Sequence, residues 1–386
     1  MNKKRIYLDN AATTRLDPEV FEAMRPYFED KYGNPSSIHH FGRESRMAIE
    51  NARRKVAGLL GARPAEIFFT SSGTESTNTA IMGSIMEAGC THIISSPIEH
   101  HATLHTVELI AKKGVSTLEM VRLEDDGQVD LSHLELLLKN APGKTLVSLM
   151  HANNEIGNLT DVEAVGNLSR QYGALFHSDM VQSIGHLPVN LNALPVDFVS
   201  ASAHKFHGPK GSGLLYVNGN CRICPFITGG GQERNMRAGT ENIYGIVGFA
   251  KALEIAVEKM DEYIKYIQGL KTAMKKQLEE MVPGIRFSGT QDPAKSLYTV
   301  LPAALPGNIP GIDMLLINLD IQGISVSGGS ACSSGAAKGS HVVEAIYGAE
   351  NVEPVRFSFS HFNTLEEIQE AANIFAQFIV PKKEHA

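Results

Sequence analysis

The sequence of 386 residues contains no tryptophan, only four cysteines and no excess of positive charge. Four cysteines in a chain of this length do not form a disulfide scaffold, so we expect reduced thiols in a cytoplasmic compartment. Lys and Arg number 35 against 42 Asp and Glu, which gives a net charge of −7. Because a nucleic-acid groove needs clustered positive charge, nucleic acid is not an expected partner.

Long apolar runs are also missing. The longest, as at 146–150, fall far short of the roughly 20 residues that a membrane-spanning helix needs. The N-terminal apolar stretch is too short for a signal peptide, since Asp9 and Asn10 follow at once. We therefore expect no membrane partner. The apolar fraction of 43% and the charged fraction of 20% are those of a globular protein with one or two domains.

Short apolar strands alternate with amphipathic helices over residues 1–240, a pattern typical of a mostly parallel sheet covered by helices. The predicted strands are 66–70, 92–96, 145–150, 174–177, 196–200 and 213–217, and the predicted helices are 75–88, 101–113, 131–139 and 162–172. We expect an irregular loop at 229–242 and one long helix at 242–281. Short strands and helices at 311–321 and 364–378 follow. The sequence thus predicts an α/β fold with a large domain at 15–255 and a smaller α+β domain formed by 1–14 and 256–386.

Ligands of open α/β sheets bind beyond the carboxyl ends of the strands. Polar residues follow five predicted strands there, at 70–74, 99–101, 151–155, 178–179 and 202–205. At 71–76, small residues between a strand and a helix would let backbone amides approach a phosphate. An ordinary helix cap explains this stretch equally well. No Walker pattern is present and no G-x-G-x-x-G follows a strand, which disfavours a nicotinamide-dependent oxidoreductase.

Three side chains suggest specific chemistry. Lys205 follows a predicted strand among Ser, His and Gly, a setting that favours a desolvated amine able to form a Schiff base. Lys210 competes with it in a more flexible setting. A buried carboxylate at Asp179 would need a cationic partner such as a protonated pyridine nitrogen. Cys332 lies in a glycine-flanked loop, which suits a thiolate nucleophile better than a buried apolar thiol.

Two pairs have the spacing of metal ligands. Cys221 and Cys224 form a C-x-x-C without a second pair, and His101 and His105 are four residues apart on a predicted helix. We interpret the cysteine spacing as incidental and the histidines as solvated or supporting groups. No metal site is expected.

The chain resembles the NifS/IscS-type cysteine desulfurases, fold-type I pyridoxal-phosphate enzymes of the class V aminotransferase group. The resemblance runs from about Tyr7 to Thr364 and rests on segments in the same order: YLDNAATT, FTSSGTES, IEHHA, HANNEIG, HSDMVQSIG, SAHKFHGPKGSG, GGGQERNMRAGTEN and SGGSACSSG. It implies a homodimer that binds pyridoxal phosphate, with the cofactor in the large domain.

The resemblance implies a role for each matching cofactor residue. Lys205 would bind the cofactor covalently, Asp179 would pair with its pyridine nitrogen, and Gln182 with its phenolic oxygen. His100 would stack on the ring and transfer protons, with Asn154 beside the ring. The phosphate would be bound by a set of small and polar residues, Gly73, Thr74, Ser202 and His204. Thr240 would reach the phosphate of the partner subunit.

The resemblance likewise implies the reaction. Arg356 would bind the carboxylate of L-cysteine through a bidentate fork, near Asn154. Cys332 would attack the substrate sulfur, giving L-alanine and a persulfide on Cys332. The sulfur would pass to an iron–sulfur scaffold or another acceptor protein, and housekeeping cluster assembly, nitrogenase maturation and tRNA thiolation all stay open. The alternatives are a selenocysteine lyase or aminotransferase on the same scaffold, and a non-catalytic binding protein.

Overall fold

The computed structural model describes residues 5–328, 340–348 and 350–379. Its strands are β1 (Ile6–Tyr7), β2 (Ile67–Thr70), β3 (His92–Ser95), β4 (Thr117–Met120), β5 (Thr145–Ser148), β6 (Leu175–Asp179), β7 (Phe198–Ser202), β8 (Gly213–Val217), β9 (Arg286–Phe287), β10 (Val300–Pro306), β11 (Ile324–Ser325) and β12 (Val352–Ser358). Seven of them form one sheet in the order β2-β8-β7-β6-β5-β3-β4. Neighbouring strands within this sheet are parallel, except that β8 is antiparallel to both β2 and β7. The predicted mostly parallel α/β architecture is confirmed.

Helices cover both faces of this sheet. The helices are α1 (Pro18–Met24), α2 (Pro26–Glu29), α3 (His40–Leu59), α4 (Gly73–Met86), α5 (His101–Lys112), α6 (Leu131–Lys139), α7 (Val162–Gln171), α8 (Ile243–Glu258), α9 (Met260–Met281), α10 (Leu315–Ile321), α11 (His341–Tyr347) and α12 (Leu365–Ile379). Phe69 packs with Val56 of α3 and Phe249 of α8 on one face, whereas Phe68 packs with Ile81 of α4 on the other. Neighbouring strand residues point to opposite faces, so a continuously apolar strand feeds two cores.

A second core lies around the antiparallel sheet β12-β10-β9. Helices α9 and α12 pack on it through side chains such as Met274 and Phe375, and Ile6 and Leu8 of the N-terminal segment join the same core. Helix α8 belongs to the core of the large sheet, and α9 to this second one. The predicted domain limits, 15–255 against 1–14 and 256–386, stay a prediction. In the described residues, no helix is both long and apolar enough to cross a lipid bilayer.

The structure differs from the sequence-based elements in three places. The single helix predicted at 242–281 is wrong, because Lys259 leaves the helical conformation (φ −103°, ψ 11°) and separates α8 from α9. No Pro or Gly marks this break, which lies where the chain passes from one core to the other. The loop at 229–242 contains a 3₁₀ turn with Glu233 and Arg234 at positive φ. Helices α1–α3 and α11 and strands β1 and β4 are additions to the predicted elements.

Candidate active site

The candidate residues come together at the carboxyl ends of the parallel strands. Asp179 is the last residue of β6, and Lys205 ends the 3₁₀ turn Ala203–Lys205 that directly follows β7. His100 is the N-cap of α5, and Asn154 lies in the loop after β5. The carboxyl ends of parallel strands meet at one sheet edge, so the polar loops that follow them share a single site.

The N-terminal segment forms a wall of this site through its backbone. The Nζ atom of Lys205 donates hydrogen bonds to the carbonyl oxygens of Ala11 at 2.6 Å and Ala12 at 2.9 Å. Gln182 donates through Nε2 to the same Ala11 carbonyl at 2.9 Å. His186 donates through Nε2 to the Lys205 carbonyl at 2.9 Å. The amine and the peptide of Lys205 are therefore both fixed in position.

Asp179 is a buried carboxyl group that is 5% exposed. Its Oδ1 accepts a hydrogen bond from the Val181 amide at 2.9 Å. Burial raises the pKa of Asp179 to about 6, although the Val181 amide and the charge of Lys205 act in the opposite direction. A carboxylate in this environment gains from an additional cation that is itself shielded from water.

Two histidines near Lys205 are neutral at physiological pH. Burial, and after it the charge of Lys205, lowers the pKa of His100 to about 4. Burial and the charges of Lys205 and Lys210 also lower the pKa of His204 to about 4. The Nδ1 of His100 accepts from the Ala102 amide at 3.1 Å, so its one proton resides on Nε2.

Two of the predicted phosphate residues, Gly73 and Thr74, begin α4, and Ser202 at the end of β7 lies next to Gly73. A Cβ at Gly73 would lie 2.6 Å from Val181 Cγ2, so a side chain there would force Val181 to shift. The amides of Gly73 and Thr74 are in the first helical turn, where a helix supplies no internal acceptor. A phosphate accepts such amides and gains from the positive end of the helix dipole. His204 contacts Thr13 Oγ1 through Nδ1 at 3.1 Å on the adjoining turn.

Arg356 on β12 is a buried cation whose side chain is 2% exposed. One terminal nitrogen donates to Asp9 Oδ1 at 2.8 Å and the other to the Asn154 carbonyl at 2.8 Å. Its Nε has no hydrogen-bond partner among the described residues. Arg356 therefore lies beside Asn154 with part of its fork already paired with Asp9, and its binding of a substrate carboxylate stays a prediction.

Two predicted residues are not among the groups brought together. Thr240 is exposed on the loop before α8, and no described contact joins it to Lys205 or Asp179 of the same chain. Cys332 lies outside the described residues. Among the described cysteines, burial raises the pKa of Cys90 to about 11 and that of Cys221 to about 12. These two thiols are protonated at neutral pH and are poor nucleophiles.

The pairs with metal-ligand spacing form no metal centre that the described residues reveal. The rings of His101 and His105 stack face to face at 4.6 Å with 9° between their planes, so their nitrogens do not converge. Cys221 donates through Sγ to Asp197 Oδ1 at 3.3 Å. No group of three or more His, Cys, Asp or Glu within the described part of the chain is arranged to bind a metal ion.

The site fits pyridoxal phosphate by the chemistry of its groups. A buried carboxylate that gains from a cation lies in the same cluster as a lysine amine, two neutral imidazoles and a helix amino end. The carboxylate suits the pyridine nitrogen of the cofactor, and the lysine amine suits its aldehyde carbon. The imidazoles suit its aromatic ring, and the helix amino end suits its phosphate. The residues that would bind each part of the cofactor remain a prediction.

Sequence reasoning missed several groups of the site. In the sequence, Glu99 belongs to a polar loop with no sign of burial, yet the side chain is buried, and burial together with the charge of Asp179 raises its pKa well above the usual range. Its Oε1 accepts from the Met150 amide at 2.9 Å, and its Oε2 has no hydrogen-bond partner in the described residues. The carbonyls of Ala11 and Ala12 carry no side-chain signal. The segment that contains them was one of the motifs shared with the resembling family.

Comparison with known proteins gives a consistent result. The aminotransferase class-V family model matches residues 6–370. A protein named cysteine desulfurase IscS from Dictyoglomus turgidum is 41% identical over 387 residues, which cover 98% of this chain and 95% of the relative. A solved structure titled NifS-like protein superposes with a TM-score of 0.88 at 38% identity, covering 96% of this chain and 98% of the other. A structure titled SspA in complex with cysteine superposes with a TM-score of 0.78 at 30% identity, covering 93% and 99%.

The burial of Asp179 predicts a pH-dependent cost in the cofactor-free protein. Its folded-state pKa of about 6 lies above the ordinary value of 3.8, so the folded state loses stability as pH rises from about 4 to about 6, by up to about 3 kcal/mol. Asp179→Asn removes the charge. At pH values above 6, the cofactor-free variant should therefore unfold at a higher urea concentration than wild type. The gain should shrink toward pH 5. Asp125→Asn, at an exposed position, should change little. A cofactor-free Asp179→Asn protein that is less stable than wild type at pH 8 would contradict the assignment.

Proposed function

Because the chain belongs to the class-V aminotransferase family, we propose that it is a pyridoxal-phosphate-dependent cysteine desulfurase that converts L-cysteine to L-alanine and a persulfide on Cys332. The observation that carries this proposal is the convergence of Lys205, Asp179, Gln182 and His100 at one end of the sheet. The relative named as a cysteine desulfurase covers nearly the whole chain. The structural relative bound to cysteine supports the same substrate.

In this proposal the chain holds the cofactor through the groups described above. Lys205 would bind it through Nζ, Asp179 would face its ring nitrogen, and Gln182 its phenolic oxygen. Its phosphate would be bound by the small and polar residues at the start of α4 and beyond β7, namely Gly73, Thr74, Ser202 and His204. When bound, pyridoxal phosphate supplies the electron sink that weakens the Cβ–S bond of cysteine.

His100 is suited to proton transfer beside the cofactor ring. Its Nδ1 is held by the Ala102 amide, so Nε2 is the atom that carries the proton and that can give it up or regain it. Its pKa of about 4 keeps the ring uncharged next to Lys205. An uncharged ring can also stack on the cofactor without adding a second cation to the site.

Cys332 would supply the thiolate. Its sulfur attacks the substrate sulfur as the Cβ–S bond breaks; the electron pair of that bond goes to Cβ, which takes up a proton to complete alanine. The new S–S bond leaves Cys332 as a persulfide. Cys90 and Cys221 are disfavoured for this role, since burial holds both as thiols. A reducing cytoplasmic compartment would keep Cys332 reduced, and a sulfur-acceptor protein such as an iron–sulfur scaffold would take the persulfide sulfur.

Replacing the proposed nucleophile tests the function directly. Cys332→Ser should abolish alanine and sulfide release from L-cysteine, because serine has no sulfur to form the persulfide, while cofactor absorbance stays intact. Cys224→Ser is the matched control and should behave as wild type. Mass spectrometry of wild type after one turnover should show one added sulfur on Cys332. Retained turnover in Cys332→Ser would contradict the mechanism, and an absence of alanine from wild type would contradict the activity.

The proposed carboxylate site at Arg356 predicts a selective change in substrate affinity. Arg356→Lys keeps the charge but loses the planar fork, so KM for L-cysteine should rise by about tenfold or more, with a smaller change in kcat. Cysteamine lacks the carboxylate and serves as the control ligand. Its binding, followed by cofactor absorbance, should be similar in both proteins. An equal loss for cysteamine would show that Arg356 shapes the site without binding the carboxylate.

A homodimer is part of the proposal. Large apolar side chains are exposed on α2, α3 and the preceding loops, among them Phe28, Tyr32, Ile38 and Phe41, with Tyr244 of α8 stacked on Phe28 at 4.2 Å. Apolar surface of this extent is typical of a protein interface. A second copy is the favoured partner because Thr240, the residue expected to reach the other subunit's cofactor, is exposed on the loop before α8.

Sedimentation tests the dimer. We expect a species of twice 41.9 kDa for the cofactor-bound protein. Phe41→Glu should shift the population toward monomer and weaken cofactor binding, because the partner's Thr240 would be lost from the phosphate site. Ile321→Glu alters an apolar residue on α10 that is more exposed than Phe41, at 67% against 48%, and should leave the dimer intact. A Phe41→Glu monomer with unchanged cofactor affinity would contradict the shared site.

A further inference from the structure

The described residues on either side of the segment that carries Cys332 are both attached to the candidate site. Before it, Ser327 bridges β12, where the Arg356 amide donates to the Ser327 carbonyl at 2.7 Å. After it, Ser340 and His341 begin α11. Residues 329–339 lie outside the described part of the chain.

Ser340 connects the start of α11 to the loop after β5. Its hydroxyl caps the helix, accepting from the Val343 amide at 3.2 Å, and donates to Glu155 Oε2. Both side chains are shielded from water, at 6% exposure for Ser340 and 3% for Glu155. A hydrogen bond to a buried carboxylate is among the stronger ones in proteins. Glu155 directly follows Asn154.

His341 connects the same turn to the loop that carries His100. Its Nε2 donates to the Glu99 carbonyl at 2.9 Å, and this acceptor fixes the proton on Nε2. The Nδ1 of His341 is then an acceptor, and it lies 3.1 Å from Nε2 of His101, which donates. Glu99 directly precedes His100, so the contact lies one residue from a proposed catalytic group.

The third residue of this turn adds an apolar contact to the same two loops. Val342 is 1% exposed and packs in a small separate cluster with Ile98 and Ile156. Three consecutive residues of one turn thus contact the loops that hold His100 and Asn154, through a carboxylate, a carbonyl and an apolar cluster. A helix end of this length gains little stability by itself, so these tertiary contacts determine where it lies.

We propose that Ser340 and His341 are positioning residues, which fix the carboxyl end of the Cys332 segment to the loops carrying His100 and Asn154. The proposal rests on the proposed function, in which the Cys332 thiolate must meet a substrate sulfur between those two residues. Because a displacement of about 1 Å can cost about 10²-fold in rate, an attachment point this close to the substrate affects the attack itself.

Two substitutions at His341 separate positioning from a general structural role. His341→Leu removes the hydrogen bond to Glu99, and we expect persulfide formation in the holoenzyme to slow by about tenfold or more. His341→Gln presents an amide N–H close to the Nε2 position and should stay within about threefold of wild type. KM for L-cysteine and the cofactor absorbance band should be unchanged in both variants. His105→Leu removes a ring that stacks on His101 at 4.6 Å, and as the control it should match wild type.

A second measurement does not depend on turnover. Loss of the Glu99 contact should loosen the start of α11, so backbone amides of 342–347 in the His341→Leu holoenzyme should exchange with deuterium several-fold faster than those of wild type, His341→Gln or His105→Leu. Equal amide exchange and equal persulfide rates in wild type and His341→Leu would overturn the proposal, as would a His341→Gln protein as slow as His341→Leu. If wild type forms no persulfide but the variants show the expected differences in amide exchange, the proposed function is overturned and the attachment is established.

Discussion

The buried charge of Arg356 is the constraint on which the arrangement of the site depends. A guanidinium that is 2% exposed must be neutralised and hydrogen-bonded within the protein. Asp9 provides the carboxylate, the Asn154 carbonyl provides a second acceptor, and the Arg356 backbone bridges Ser327. These partners come from the N-terminal segment, the large sheet's loop after β5 and the strand region after α10. The buried Arg356 side chain therefore joins the N-terminal segment and β12 of the second core to the loop after β5 of the large sheet.

Lys205 also connects the large sheet to the second core. Its amine lies on the large sheet, but its acceptors, the carbonyls of Ala11 and Ala12, belong to the segment whose Ala11 side chain packs in the second core. One wall of the site is thus backbone of the segment that packs in the second core, and the other walls are the polar loops of the large sheet. The resulting low exposure explains why His100 and His204 are uncharged and why Asp179 binds its proton more tightly than usual. Burial is the largest cause of all three pKa shifts; the charge of Lys205 adds to it at the two histidines and opposes it at Asp179.

Features that depend on a local run of residues could be predicted from the sequence, whereas features that depend on tertiary contacts could not. Strands such as β3 and β8 are continuous apolar runs, and they were predicted within one residue. Strand β4 was missed because its residues are half-exposed at the sheet edge. The break at Lys259 was missed because it depends on which core each helix joins. Side chains such as Lys205 and Asp179 follow strands and could be found by that rule, whereas the Ala11 carbonyl and the Ser340 and His341 contacts join residues far apart in sequence.

The loop after β5 is where these separate requirements combine. Asn153 fixes its shape, since its Oδ1 accepts from the amides of Glu155 and Ile156 while its Nδ2 donates to the Ile98 carbonyl. With that shape set, the Asn154 carbonyl receives Arg356 and the Glu155 carboxylate receives Ser340. Ser340 and Arg356 both follow the Cys332 segment, and Ser327, which precedes it, is joined to this loop through its backbone bridge to Arg356. The same asparagine links this loop to the one that carries His100. In the proposed reaction, the loop after β5 therefore positions both Arg356, which would bind the substrate, and the chain next to the Cys332 segment. A change in this loop should affect both.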